Sequence, residues 1–118
     1  MIKTSRKLLG ALLGFALMSA AQANGLASGT VVYFVPFVYN NHEGFVVRLT
    51  TMSTPAACST SNRFIMMDTD MKYKTTLAAV MGAALAGSFI RIHGTGACTM
   101  YDNASEDLAY ACLGSDPC

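Results

Sequence analysis

Residues 30–39, TVVYFVPFVY, are almost wholly β-branched or aromatic and are bounded by Gly29 before and Asn40-Asn41 after. Such a run predicts a strand, with Pro36 marking a bend or an edge position because proline brings no N–H to a ladder. NNHEG then leads into FVVRL, and two β-rich runs around an Asn/Gly-rich tip predict a hairpin. The polar TTMSTPAACSTSN, with Pro55, reads as a long loop carrying Cys58, and RFIMMD as a third strand.

The period changes at residues 77–98, LAAVMGAALAGSFIRIHGTGAC. Leu77, Val80, Met81, Ala84 and Leu85 fall at i, i+3, i+4, i+7 and i+8, which predicts a helix with one apolar face. On this reading Leu77, Val80, Met81 and Leu85 are buried and plug one end of a barrel. Gly87 is the expected C-terminal cap, and FIRIHG resumes alternation with Arg91 and His93 facing one way. The uninterrupted run at residues 75–90 is only 16 long, broken at Gly87-Ser88 and flanked by Lys74 and Arg91, so no membrane span is expected. A phosphate-binding glycine loop leads from a strand into a helix, whereas GTG follows a strand and enters the loop-like ACTMYDNASED; its glycines read as turn residues.

A final strand, DLAYAC, precedes the tail LGSDPC. The order is therefore β-β-β-α-β-β, which predicts a mainly β fold with one helix: an OB-fold-like five-stranded Greek-key barrel with its helix between strands three and four. Residues 24–118 make this single domain. Before it, residues 1–23 read as a secretory signal peptide, with Lys3, Arg6 and Lys7, a short apolar run and Ala21-Gln22-Ala23 as a small-x-small cleavage site. The expected location is exported, periplasmic or secreted.

Removal of that segment leaves five Lys/Arg against seven Asp/Glu, a formal charge of −2, so a phosphate-gripping nucleic-acid protein is not expected. Cys58, Cys98, Cys112 and Cys118 form an even set in a small exported domain, which implies two disulfides among three possible connectivities. The loop before strand three and the turn after strand four both need anchoring, and Cys112 and Cys118 are close in sequence; these points favour Cys58–Cys98 and Cys112–Cys118. No zinc-ligand spacing is present, and no metal or cofactor is expected.

Candidate chemistry is sparse. His42-Glu43 reads as a polar turn, and Met66, Met67 and Met71 as packing at a strand end rather than a copper-handling cluster. Asp68 and Asp70 lack the glycine and distal glutamate of a calcium loop. There is no G-x-S-x-G, bridged cysteines supply no thiolate, and no catalytic residue is assigned, so a non-enzymatic protein is expected.

SGTVVYF, ACS, LAAVMGAALAGSFIRIHGTGAC and EDLAYA together resemble the exported B-subunit family of the subtilase-cytotoxin and pertussis-like toxins and their bacterial relatives, over most of residues 27–112. The resemblance implies this barrel, a homopentameric ring, a glycan ligand and a catalytic A-subunit partner. The toxin members hold sialic acid with a serine directly before the glycine that opens strand one, and Ser28 before Gly29 stands there. Their aromatic residue after "RI" is absent, with His93-Gly94 in its place. Barrels of this type recognise ligands on the open sheet face and on the loops after strands one and four, which adds His42, Arg48, Tyr101, Asp102 and Asn103 to Ser28 as candidate ligand-binding residues. The competing expectation is a monomeric exported structural or interaction protein with no glycan site.

Overall fold

The computed structural model describes residues 23–114 and Cys118. The expected signal segment lies outside the described residues except for Ala23. Five strands and one helix follow in the expected order: β1 Leu26–Tyr39, β2 His42–Thr54, β3 Phe64–Met67, α1 Tyr73–Ala86, β4 Ile90–Gly94 and β5 Glu106–Leu113. The strands close into a barrel in the ring order β1-β2-β3-β5-β4, with β4 returning to β1. Among the described residues only the β3–β5 pairing is parallel.

The β1–β2 hairpin turns on Asn40 and Asn41 alone, both at positive φ (50° and 62°). Two successive left-handed residues match the right-handed twist of the flanking strands, and asparagine tolerates that region. His42 therefore pairs with Tyr39 as the first residue of β2. Strand β2 also runs to Thr54, where the sequence suggested a loop from Thr50; Thr51, Met52 and Thr54 pair with Ser28, Ala27 and Leu26. Beyond Gly29, β1 has only β2 as a ladder partner among the described residues. Pro36 sits in that one-sided stretch, an edge position of the kind where a residue without an N–H is tolerated.

Helix α1 ends as expected: Gly87 is left-handed (φ 64°) and its N–H donates to the Ala83 carbonyl. The buried face is a correction. Tyr73, Thr76, Val80 and Ala83 face the barrel and Leu77 is partly buried, whereas Met81 is 42% exposed and Leu85 87% exposed. The helix is apolar on nearly every side, so its pattern fixes that it is a helix without fixing which way it faces. The interior joins Phe45, Val47, Phe64, Met66, Ile90, Ile92 and Leu108 to Val80 and Tyr73. Phe45 lies between Phe34 and Tyr73, with ring centroids 5.7 and 5.8 Å away. Burial, with the nearby charges of Glu43 and Asp68, raises the Tyr73 phenol above its ordinary pKa.

The polar frame of the barrel is built by two adjacent buried carboxylates at the start of β5. Glu106 Oε2 accepts N–H bonds from Gly25 (2.8 Å) and Gly96 (2.9 Å), while Oε1 has no hydrogen-bond partner among the described residues. A Cβ on Gly94 would lie 1.7 Å from Oε2, and one on Gly25 1.8 Å from Oε1, so the carboxylate fits only against bare backbone. Asp107 points the other way: Oδ1 accepts from Thr99 N and Met100 N, and Oδ2 from the Thr99 hydroxyl. Within GTG, Gly94 ends β4 and Gly96 bends the chain, its N–H donating to a side chain of the protein itself. The Cys58–Cys98 disulfide ties the same loop to the β2–β3 connection, with Cα atoms 6.0 Å apart.

Val80→Ala is expected to lower stability by about 2–3 kcal/mol, the loss of two buried methyl groups plus a cavity. Leu85→Ala should cost less than about 0.5 kcal/mol, as exposed substitutions do; urea unfolding followed by circular dichroism compares them. Glu106→Ala strands two buried N–H groups and is expected to cost about 3 kcal/mol or more. Amide exchange at Gly25 and Gly96 should accelerate selectively in that variant, and unchanged protection there would refute the assignment.

Candidate functional site

The ladders around the start of β1 gather a group of polar side chains from three strands. Ser28 pairs with Arg91 and Leu26 with His93, so these four side chains share one outer face of the β1–β4 pair. On the other side, Ala27 pairs with Met52 and Leu26 with Thr54, which leaves Ser53 as the extra residue of a bulge. A bulge re-aims its side chain, and Ser53 joins Leu26, Ser28, Arg91 and His93 around a cleft of about 350 Å³.

The remaining wall comes from the C-terminus. Cys112 pairs with Arg91 across β4–β5, and the Cys112–Cys118 disulfide carries Cys118 to the cleft, its sulfur 3.7 Å from His93 Nε2. Beneath His93, its β5 partner Tyr110 stacks on the imidazole at 4.5 Å between centroids and 12° between planes. The position after "RI" therefore presents an aromatic surface after all, made by two strands together. Arg91 brings positive charge to the cleft and lies 5.7 Å from the Phe89 ring centroid.

The other five sequence candidates do not join Ser28. His42 begins β2 at the far end of the long hairpin, where its Nδ1 lies 2.8 Å from Asp68 Oδ1. The Glu43 N–H, outweighing a small opposing effect of burial, and His42 hold the Asp68 carboxyl below its ordinary pKa. Arg48 lies 6.0 Å from the centroid of the Tyr33 ring, which Arg63 shares at 5.6 Å. Tyr101, in the β4–β5 loop, meets Phe37 (5.0 Å) and Tyr39 (5.1 Å, edge to face), so this loop and the hairpin turn lie side by side.

Asp102 and Asn103 serve that loop's own turn. Asp102 accepts the N–H groups of Ala104 and Ser105 and the Ser105 hydroxyl, and these bonds with Arg63 overcome burial to hold its carboxyl below the ordinary range. Asn103 is left-handed and exposed. A second, smaller cleft opens between hairpin turn and loop, lined by Tyr39, Asn40, His42, Met67, Thr69 and Met100.

Ser53 and Tyr110 are functional candidates that sequence reasoning missed. The alternation of FIRIHG does put Arg91 and His93 on one face, but the β4–β5 register and the bulge at Ser53 leave no local trace in the sequence. Among the described residues no three His, Cys, Asp or Glu side chains are grouped to hold a metal ion, and no helix is long and apolar enough to cross a membrane. Two disulfides and no free cysteine are the thiol chemistry of an oxidising environment. Comparison with protein-family models and with curated proteins gives no match.

The two disulfides have unequal tasks. Replacing Cys58 and Cys98 by serine is expected to cost about 4 kcal/mol, since their sequence separation is 40. Replacing Cys112 and Cys118, six apart, should cost only about 2 kcal/mol. Denaturant titration of both double variants checks the ordering, and the reverse order would contradict it.

Proposed function

We propose that the chain is an exported, non-enzymatic binding module of the toxin B-subunit type, and that the Ser28 cleft receives an acidic sugar of a cell-surface glycan. The observation that carries this reading is the convergence of two hydroxyls, Ser28 and Ser53, with Arg91 and His93 around one cleft, the imidazole being backed by the Tyr110 ring. Sugar recognition needs this mixture. Hydroxyl groups demand paired donors and acceptors, the flatter face of a pyranose packs on an aromatic surface, and a carboxylate is drawn to a guanidinium. The ring order and the single helix between β3 and β4 support an OB-fold-like barrel.

A cleft of this size, open to solvent, binds one sugar weakly. Its use at a cell surface depends on several copies acting together, which raises avidity by roughly 10² to 10⁴. Assembly into a ring that would carry an A subunit belongs to the same reading, and the exposed Met81, Leu85, Phe89 and Leu113 support it as apolar surface for neighbouring copies.

Glycan-array binding and light scattering on the oxidised protein test this together. Ring-sized particles should bind sialylated glycans, with the signal lost in Ser28→Ala and lowered about tenfold in Tyr110→Ala, the worth of one good aromatic contact. A monomer with no signal that Ser28→Ala removes would replace this reading with that of a monomeric interaction protein on the same barrel.

A further inference from the structure

The smaller cleft at the far end of the hairpin has a different chemistry. Met67, Met100 and His42 all line it, and Tyr39 closes one side with Tyr101 set edge-on behind it. Met67 and Met100 pack together with Phe37 around one small apolar cluster. The two other methionines near Met67 in sequence go elsewhere, Met66 into the main core and Met71 to solvent at 98% exposure. Register places the remaining partners. Met67 pairs with Gly44, which stands two residues after His42 on the same face of β2, so Met67 and His42 are diagonal neighbours within reach of long side chains. Gly44 lets the thioether lie down over the strand: a Cβ there would be 2.5 Å from the Met67 sulfur.

The imidazole is oriented for the same cleft. Asp68 Oδ1 lies 2.8 Å from His42 Nδ1 while Oδ2 accepts the Glu43 N–H, so the carboxyl group stands behind Nδ1, which donates to it, and leaves Nε2 as the nitrogen free of this contact. In the neutral ring the lone pair then resides on Nε2. A carboxylate behind a histidine fixes the tautomer and raises the basicity of the opposite nitrogen, the arrangement that supports metal-ligating histidines. Two thioethers and one imidazole in a cleft walled by aromatic rings form a soft donor set, which selects monovalent copper over harder or borderline divalent ions.

We propose that Met67, Met100 and the Nε2 of His42 bind one Cu(I) ion in this cleft, with Asp68 as a positioning residue. The site is separate from the Ser28 cleft, being built at the opposite end of the β1–β2 hairpin with β3 and the β4–β5 loop, and it needs no partner copy.

The test is anaerobic competition for Cu(I) held as its bicinchoninate complex, on the oxidised full-length mature protein. The native chain should withdraw one equivalent. Met67→Leu and Met100→Leu should each weaken binding at least tenfold, and Asp68→Asn about tenfold, the usual effect of losing an outer-shell partner. Met71→Leu should change nothing. Leucine is close to methionine in volume, so circular dichroism should stay native. A second readout uses Ag(I), a redox-inert stand-in, with methyl-labelled methionine: the Met67 and Met100 methyl resonances should move while those of Met52, Met66, Met71 and Met81 stay. Failure to withdraw Cu(I), or silver shifts confined to methionines other than Met67 and Met100, would overturn the proposal, and neither result touches the glycan reading.

Discussion

The barrel depends on a carboxylate that is wholly out of water. Glu106 draws the chain before β1, 81 residues away in sequence, and the bend after β4 onto the first residue of β5, so one side chain holds the N-terminal end of the domain to its C-terminal part. Both donors here are backbone N–H groups that would otherwise be stranded in the interior. The bare backbone of Gly94 is the condition for it. Asp107, on the opposite face of the same strand, holds the next stretch of the loop, so two neighbouring residues secure the whole region between β4 and β5. Because the β4–β5 loop meets the hairpin turn through Tyr101, and β4 itself forms the floor of the Ser28 cleft, both candidate sites inherit their geometry from this pair.

Local chemistry made much of the fold legible. The Asn-Asn tip, the glycine cap of α1 and the β-branched runs each act within a few residues, and the elements formed around those signals in the expected order, with β1 starting earlier, at Leu26, and β2 taking in His42 and Glu43. The orientation of α1 was not legible, because Leu85 and Val80 are equally apolar and only the barrel distinguishes them. The extension of β2 through Thr51 and Met52 was missed for a related reason. Those residues are neutral in isolation and become strand only when Leu26, Ala27 and Ser28 supply a ladder.

The sites show the same boundary between local and non-local information. Ser28 could be singled out from its place before Gly29, and the shared face of Arg91 and His93 from alternation. The stack of Tyr110 on His93 depends on how β4 and β5 are registered, and Ser53 on a bulge that exists only opposite β1. Met100 lies 33 positions from Met67 and reaches it because Asp107 holds the backbone of Met100 itself. A residue such as Asp102, conspicuous as a polar loop position, proved to be spent on its own turn.

Pro36 carries a consequence for the chain's passage to its folded form. The stretch from Val31 to Tyr39 has no charged residue, strong β propensity and one ladder side without a partner, the features of a segment that recruits other chains edge to edge. A proline in the middle interrupts any continuous row of donors such a contact needs, so it acts as a gatekeeper against aggregation while the barrel is still open. Its value falls on the interval before Cys58 and Cys98 are joined, when this strand is most exposed to its own copies.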